Sequence, residues 1–544
     1  MAGRVHETGV CILGSGITGA LVAERLAEQT TARITVVEAG DRIFNLDQRF
    51  ERRDRFLDYR ENPWPDDHIR GQTGRGLQSR SMCVGGLGLH WGGTTPRFTP
   101  EDLRLRSLYG VGEDWPVEWE ELDAFYQEAE ERIGIAGVQG PPELDPRSRD
   151  YPMPALPLSY NLEKLRAWGE RSGIPFWPNP VSKNSRPYRG RNVCVRCDTC
   201  TICPTGAKYS PDFTLQELLA RERIELLDRT LVRRLVVGER GRIAGAKALD
   251  RDRPDEPLEL RADVFVVALG YAWSAHLLLL SASDRAPAGV ANRSGLVGRF
   301  MSGHRPYNAF VEVPEKLYPG IYEMDSLLSK SFQRPGDIDR YVRHDLRIWE
   351  SDFGRRPRLR SDDGELLLGE DLLADWRQRG ERGAARLRAY YDVIPAEGSG
   401  LRIDTSRTNE WGDPMFRIEM QPAPETSELI PLAEAQIEGV FDRMIAAGGG
   451  RLLERRVSRE IHDHPAGGCR MGADPATSVV DPYGRSWDHE NLWIVGAPTM
   501  PSAGCNNGTL TFAALTLRSA AKLAALLPPS GAEPAIPHRA EVAA

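Results

Sequence analysis

The residues best suited to chemistry lie in two motifs about forty residues apart, His464-Pro465-Ala466-Gly467-Gly468-Cys469 and Asn506-Asn507-Gly508-Thr509-Leu510-Thr511. A histidine titrates near neutral pH, so His464 can take a hydroxyl proton while hydride leaves the same carbon. The Asn507 carboxamide can hold the oxygen that loses that proton. Each also has a plainer reading. His464, in a glycine-bracketed loop just after His462, reads equally as a structural histidine, and Asn507 as a turn residue beside Gly508. Near the other end, Gly14-Ser15-Gly16-Ile17-Thr18-Gly19 is a turn fit for a dinucleotide diphosphate. Together these motifs point to a redox cofactor held by the start of the chain and a base aimed at it from the end.

Positioning elements for the first motif are legible around it. Residues 8–13 form a short buried-strand pattern, Ala20 to Ala27 recur at helical period, and Arg33 to Glu38 read as a second strand. This is a βαβ unit. Gly14, Gly16 and Gly19 allow the tight turn, the diphosphate approach and close helix–strand packing. Glu38 follows the last glycine by 19 positions, where a ribose hydroxyl needs an acceptor, and an acid there disfavours a 2′-phosphate. The turn therefore fits FAD or NAD rather than NADP, with a ligand-free glycine turn as the alternative.

The segment 83–98 is glycine-dense and predicts a loop with close backbone approaches. Its His90-Trp91 pair reads either as facing the cofactor, even bonded to it, or as packing at a loop corner. Residues 43–82 are charged and irregular, and 119–134 predict an acidic amphipathic helix. Residues 137–192 predict a wrapped connection, 224–269 alternating strands, and the end beyond about 527 a frayed tail. Nucleotide-binding material recurs at 8–40, 83–98, 262–283 and 481–526, so the first domain is discontinuous and 300–460 is an insertion.

Cys194, Cys197, Cys200 and Cys203-Pro204 form a C-x2-C-x2-C-x2-C-P ladder. Its spacing suits a ferredoxin-type iron–sulfur cluster (whose usual last gap is three), a zinc site, or a cysteine-rich structural loop in a reducing compartment. Four of the eight cysteines fall within ten residues, which is no dispersed disulfide framework.

Bulk properties narrow the class. The 544 residues are 40% hydrophobic and 27% charged, enough for a large core. A net charge of −8 disfavours a nucleic-acid-binding surface. The longest apolar runs, 264–282 and 509–527, are interrupted or too short to span a bilayer, and no secretory signal pattern opens the chain. The expectation is a cytoplasmic protein with no membrane span and a small-molecule substrate; a homo-oligomer is compatible with it.

These motifs resemble the glucose–methanol–choline (GMC) oxidoreductase family, flavoproteins that oxidise alcohols. The resemblance rests on the glycine turn with Glu38, Gly85-Gly86 before His90-Trp91, Asp114-Trp115-Pro116, and Val267-Ala268-Leu269-Gly270 leading into Leu277-Leu278-Leu279-Leu280-Ser281. It extends through Val297-Gly298-Arg299-Phe300, Asn409-Glu410-Trp411-Gly412-Asp413-Pro414 and the two C-terminal motifs. Within the family the chain looks most like the pyranose oxidase and gluconate or glycoside dehydrogenase branch. His90 matches the histidine that can be joined to flavin there, with Gly92 where that loop has Thr. Gly496 stands where other branches carry an Asp near the ribityl chain. The cysteine loop resembles a segment that holds an iron–sulfur cluster in some relatives and none in many others.

The resemblance implies an α/β fold: a discontinuous Rossmann-like FAD-binding domain (1–140, 186–299 and 461–527) with an inserted α+β substrate-binding domain on an antiparallel sheet (141–185 and 300–460). A flexible tail would cover 528–544. It implies FAD held by Gly14, Gly16, Gly19, Glu38, Gly85, Gly86, His90, Trp91, Gly92, Gly496, Asn507, Gly508 and Thr509. His464 and Asn507 would be the catalytic pair, acting on a sugar, glycoside or amino sugar with O2 or another electron acceptor. Cys194, Cys197, Cys200 and Cys203 would be the ligands of any metal. A flavin-scaffolded lyase and an electron-relaying subunit on the same fold are the competing readings.

Overall fold

The computed structural model describes residues 3–51, 82–197, 199–200, 202–318, 325–334, 342–353, 359–361, 363–458, 461 and 463–529. Most of the charged 43–82 stretch, His462 and residues 530–544 lie outside them. At the start of the expected tail, Pro528 and Pro529 are tied back to Thr31 and Thr30.

The predicted βαβ unit opens the fold as β1 (Arg4–Leu13), α1 (Ile17–Gln29) and β2 (Ile34–Val37). β1 and β2 pair in parallel, Val10 opposite Ile34. Strands Glu225–Leu227 and Pro257–Val267 extend the parallel sheet on either side. Ile243–Asp250 and Thr230–Val237 continue it antiparallel, and Leu492–Ile494 joins the end of Pro257–Val267. Three separate segments thus make one sheet, as the discontinuous reading requires.

Alternation along β1 shows why the sheet is covered on both faces. Val10 and Ile12 enter one apolar cluster with Ala20, Leu26 and Leu523, while Cys11 and Leu13 enter another with Leu278 and Leu510. Burying each such aliphatic side chain is worth roughly 1.5–3 kcal/mol. An exposed pair such as Arg4–Asp250 contributes about 0–1 kcal/mol, so apolar burial holds the sheet order.

A second sheet is antiparallel throughout. Its strand order is Arg451–Val457, Ser302–Val313, Gly383–Tyr391, Leu346–Glu350, Leu327–Ser329 and Trp177–Pro178, and Asp463–Ala466 pairs with the first residues of Ser302–Val313. Tyr307, Ala309, Val311, Leu387, Ala389 and Ile348 pack with Ile437, Val440, Phe441 and Met444 of the helix Ile430–Gly448. The intervening residues, among them Arg347, Trp349, Arg386, Arg388 and Tyr390, therefore face the opposite side.

Among the described residues no helix is long and apolar enough to cross a membrane. None of the eight cysteines forms a disulfide in the structure.

His344 is buried, stacked on Phe332 at 4.7 Å, and burial lowers its pKa to about 4. The folded state then binds fewer protons than the unfolded chain between about pH 6.5 and pH 4. Its stabilising contribution is complete above that window and is lost as pH falls through it. The thermal midpoint of His344→Phe should decline less steeply than that of the native chain on acidification through this window; parallel slopes would refute the assignment.

Candidate active site

The glycine turn is built for a close approach. Gly14 has φ +102°, and a Cβ there would lie 2.6 Å from the Ala268 carbonyl. A Cβ on Gly19 would lie 2.0 Å from the Gly14 carbonyl, whereas one on Gly16, the N-cap of α1, would meet nothing within 4 Å. Gly14 and Gly19 are thus small because the strand and helix touch, while Gly16 leaves open space. The first turn of α1 carries no acidic residue and no side-chain cap, so its N–H donors and dipole are available to an anion.

Ser15 joins three of the predicted motifs. Its hydroxyl donates to Glu38 Oε2 at 2.6 Å and accepts the Gly85 N–H at 3.0 Å. Glu38 also accepts from Gly40 N–H at 3.0 Å, and burial raises its carboxyl pKa against these hydrogen bonds. The sequence carried no signal for this role of Ser15 beyond its place between the glycines.

The 83–98 stretch contains a 3-10 turn, Gly86–Leu89, entered through Gly85 in the left-handed region. A Cβ on Gly86 would face the Gly16 Cα at 3.7 Å, so this turn borders the open space. Half-buried His90 closes the turn, its N–H donating to the Leu87 carbonyl. Trp91 Nε1 donates to the Tyr209 carbonyl at 2.8 Å, and half-buried Gly92 follows in coil. Buried Lys208 donates to the carbonyls of Leu89 and Trp91, pinning the loop from below.

The C-terminal motifs converge. The Asn507 amide donates to Nε2 of His464 at 2.6 Å, although 43 residues separate them. His464 Nδ1 and Asn507 Oδ1 are buried without a hydrogen-bond partner. His464 has φ +48°, a conformation that costs a non-glycine residue of order 1–3 kcal/mol. It sits on the strand Asp463–Ala466 at the margin of the second sheet, and Gly467 N–H then donates to the Ala497 carbonyl. Next to Ala497, Gly496 has φ +93° and abuts Thr18 of α1, where a Cβ would be 2.8 Å from Cγ2. A contact path thus runs from the glycine turn to the histidine loop. Asn507 and Gly508 lead into the helix Thr509–Ala524, whose first turn also lacks a side-chain cap.

Around His464 stand residues that motif reading missed. The His304 ring lies 5.1 Å away, and Tyr390 presents its edge at 5.5 Å. His304 Nδ1 donates to the Gly504 carbonyl at 2.6 Å. Burial, and then the charges of His304, Arg388 and Arg347 against that of Asp463, hold the His464 pKa well below the ordinary histidine value. The imidazole is neutral at neutral pH and can accept a proton. The alternation Arg386-Leu387-Arg388-Ala389-Tyr390 was a usable signal for one polar face, but nothing in it pointed to His464.

The metal expectation is not supported. Cys194, Cys197, Cys200 and Cys203 line one crevice, together with Lys183, Lys208 and Asp325. Among the described residues, however, no group of three or more His, Cys, Asp or Glu side chains is arranged to hold a metal ion. The sulfurs have other neighbours. Cys203 accepts the Lys208 N–H at 3.4 Å, Cys197 meets Thr199 Oγ1 at 3.1 Å, and the Lys183 ammonium, bonded to Asp325 at 2.7 Å, also interacts with Cys200.

A parallel sheet with a glycine turn at a helix N-terminus, linked through Gly496 and Gly467 to a buried histidine at the margin of a second sheet, fits an α/β dinucleotide-dependent oxidoreductase. The GMC oxidoreductase family models match residues 152–305 and 399–516, and the chain belongs to that family, FAD-binding enzymes that act on CH–OH donors. It is 30% identical to the 6'''-hydroxyparomomycin C oxidase of Streptomyces lividus, over 97% of this chain and 92% of that one. It is 28% identical to the fructose dehydrogenase large subunit of Gluconobacter japonicus, over 96% and 98% of the respective chains. The crystal structure of pyridoxine 4-oxidase from Mesorbium loti has the same fold, with a TM-score of 0.62 at 18% identity over 94% of this chain and 98% of that one.

The two glycines should respond differently to the same substitution. Gly16→Ala should fold with an unchanged thermal midpoint yet lose FAD affinity at least tenfold, because the methyl enters the space left for the diphosphate. Gly19→Ala should lower the thermal midpoint, because its Cβ strikes the Gly14 carbonyl. Equal FAD affinity in Gly16→Ala and the native protein, by fluorescence titration of the apoprotein, would contradict the reading.

Proposed function

We propose that this protein oxidises a CH–OH group of a sugar, glycoside or amino sugar to a carbonyl, with His464 as the base and Asn507 as the group that holds the substrate oxygen. The observation that carries the reading is the 2.6 Å contact between these side chains, next to the uncapped N-terminus of Thr509–Ala524.

The residues present fit FAD. Gly16 leaves open space at a helix N-terminus, Glu38 lies at the end of β2, and the Gly85–Gly86 turn borders the same space. Gly14, Gly16, Gly19, Glu38, Gly85, Gly86, His90, Trp91 and Gly92 would hold one part of it, and Gly496, Asn507, Gly508 and Thr509 the other. When bound, FAD supplies the acceptor for the hydride that leaves the carbinol carbon.

The protein's own part is proton transfer and positioning. The Nε2 lone pair of His464 faces the Asn507 amide, and the substrate hydroxyl would enter between them. The hydroxyl proton passes to Nε2, and the Asn507 amide donates to the oxygen as it becomes a carbonyl. The uncapped first turn of Thr509–Ala524 favours negative charge developing nearby. His304 and Tyr390 fill the space beside the ring and keep it dry. The lowered pKa keeps His464 unprotonated and ready at the working pH.

The sugar reading is supported by the names of the fructose dehydrogenase and hydroxyparomomycin oxidase relatives. Oxidase and dehydrogenase differ in whether O2 or another acceptor reoxidises the enzyme, which rapid mixing of reduced enzyme with O2 measures.

Anaerobic addition of sugars, glycosides and polyols should bleach the oxidised flavin band. His464→Ala should retain FAD and lose roughly 10²–10⁴-fold in the bleaching rate. The acidic limb of kcat/KM should lie below pH 6.5, since the base stays deprotonated to lower pH than a free histidine. Full bleaching by His464→Ala, or a limb above pH 6.5, would end the assignment.

A further inference from the structure

The face of the second sheet that carries Tyr390 to the catalytic histidine also carries a row of guanidinium groups. On the strand Gly383–Tyr391, residues 386, 388 and 390 share this face, and the neighbouring strand sets Arg347 opposite Arg388 and Trp349 opposite Arg386. The Arg388 guanidinium lies over the Tyr390 ring at 3.8 Å, and Arg386 lies over Trp349 at 4.6 Å. The row thus begins at His464 and runs outward.

Among the described residues the charges on this face do not balance. Arg347 Nε donates to Asp345 at 2.5 Å, and Arg388 Nη2 donates to Asp463 at 2.9 Å. Arg386 has no carboxylate partner among the described residues. Its one described contact is the face of Trp349, and its Nε has no hydrogen-bond partner. The Nε of Arg388 is also unpartnered. Both residues are only partly exposed. Burial, together with the neighbouring charges of Arg386 and Arg347, lowers the Arg388 pKa to about 9, and burial lowers that of Arg386. Guanidinium groups withdrawn from water are ordinarily paired with anions. Here two neighbouring ones on one face of the sheet each keep an Nε donor without a hydrogen-bond partner among the described residues.

We propose that the substrate carries an anionic group, a carboxylate or a phosphate monoester, bound by Arg386 and Arg388 while its carbinol meets His464 and Asn507. The forked donors of arginine match both anions, and the Trp349 and Tyr390 rings lie beneath the two forks. Tyr390 and Arg388 are two residues apart, about 7 Å along the strand, which is comparable with the length of a hexose. This narrows the substrate class away from amino sugars, whose ammonium groups these arginines would repel. The inference rests on the alcohol-oxidising reading given above, but its anion-binding half can be measured apart from turnover.

The test uses holoenzyme and four matched probes: D-glucose, D-glucosamine, D-glucuronate and D-glucose 6-phosphate. Anaerobic flavin bleaching should show at least a tenfold lower KM for one of the two anions than for glucose, and which one separates carboxylate from phosphate. Arg386→Gln should raise the KM of that anion roughly 10–100-fold, the cost of a lost charge-assisted hydrogen bond, with kcat and the glucose KM nearly unchanged. Arg386→Lys should restore part of the loss. A preference for glucosamine, or an equal effect of Arg386→Gln on anionic and neutral probes, would overturn the proposal and leave the oxidoreductase reading standing. Independently, sulfate should raise the thermal midpoint of native holoenzyme more than that of Arg386→Gln. No difference would overturn the anion site. A clear difference with no bleaching by any sugar would support the anion site and count against sugar oxidation.

Discussion

The arrangement depends on keeping one imidazole out of water. In solution a histidine is partly charged near neutral pH, and a charged ring cannot accept a proton. Burial at His464, reinforced by the positive charges of Arg347 and Arg388, removes the charge and leaves the Nε2 lone pair facing the Asn507 amide. Asp463 opposes this effect, but it is bound by Arg388. The strained backbone at His464, φ +48°, is part of the same arrangement. It turns the ring out of the short strand Asp463–Ala466 toward the helix that starts at Thr509.

That constraint explains why the molecule needs two sheets. The parallel sheet presents the glycine turn and the N-terminus of α1, and the antiparallel sheet presents His304, Tyr390 and the arginine row. The two C-terminal motifs occupy the seam. Gly496 packs on Thr18 of the first unit, while the strand bearing His464 pairs with Ser302 and His304 of the second. On the proposed reading neither sheet alone would both offer a helix N-terminus to a diphosphate and bury the base. Ser15 and Lys208 have a comparable role on the cofactor side. One joins the glycine turn to Glu38 and Gly85, and the other fixes the loop that carries His90 and Trp91.

The arginine row gives one scaffold a means of choosing among alcohols. On the proposed reading the histidine and carboxamide would act on any carbinol that reached them, so selection would fall to the groups that hold the rest of the molecule. Here the face of the antiparallel sheet opposite the helix Ile430–Gly448 offers guanidinium donors and aromatic rings. A charge largely withdrawn from water, with no carboxylate partner among the described residues, is costly, which is the physical reason to read Arg386 as waiting for a ligand.

The amino-acid sequence determined what depends on short chain distances. The βαβ unit, its glycines and Glu38 were legible because helix and strand periods and turn chemistry act over a few residues. Composition and free-cysteine spacing likewise excluded a disulfide framework. The cysteine ladder left cluster, zinc and structural-loop readings open, because spacing along the chain does not say what else lines the crevice, and Lys183, Lys208 and Asp325 do. Asn507 alone read as a turn residue, and Arg386, Arg388 and Tyr390 carried no motif. Only the tertiary structure brought Asn507 to His464, paired Arg4 with Leu258 in one sheet, and set the arginines on one face of the other. Those juxtapositions arise from burial of apolar faces shared by distant segments. No local pattern encodes which segment will cover which.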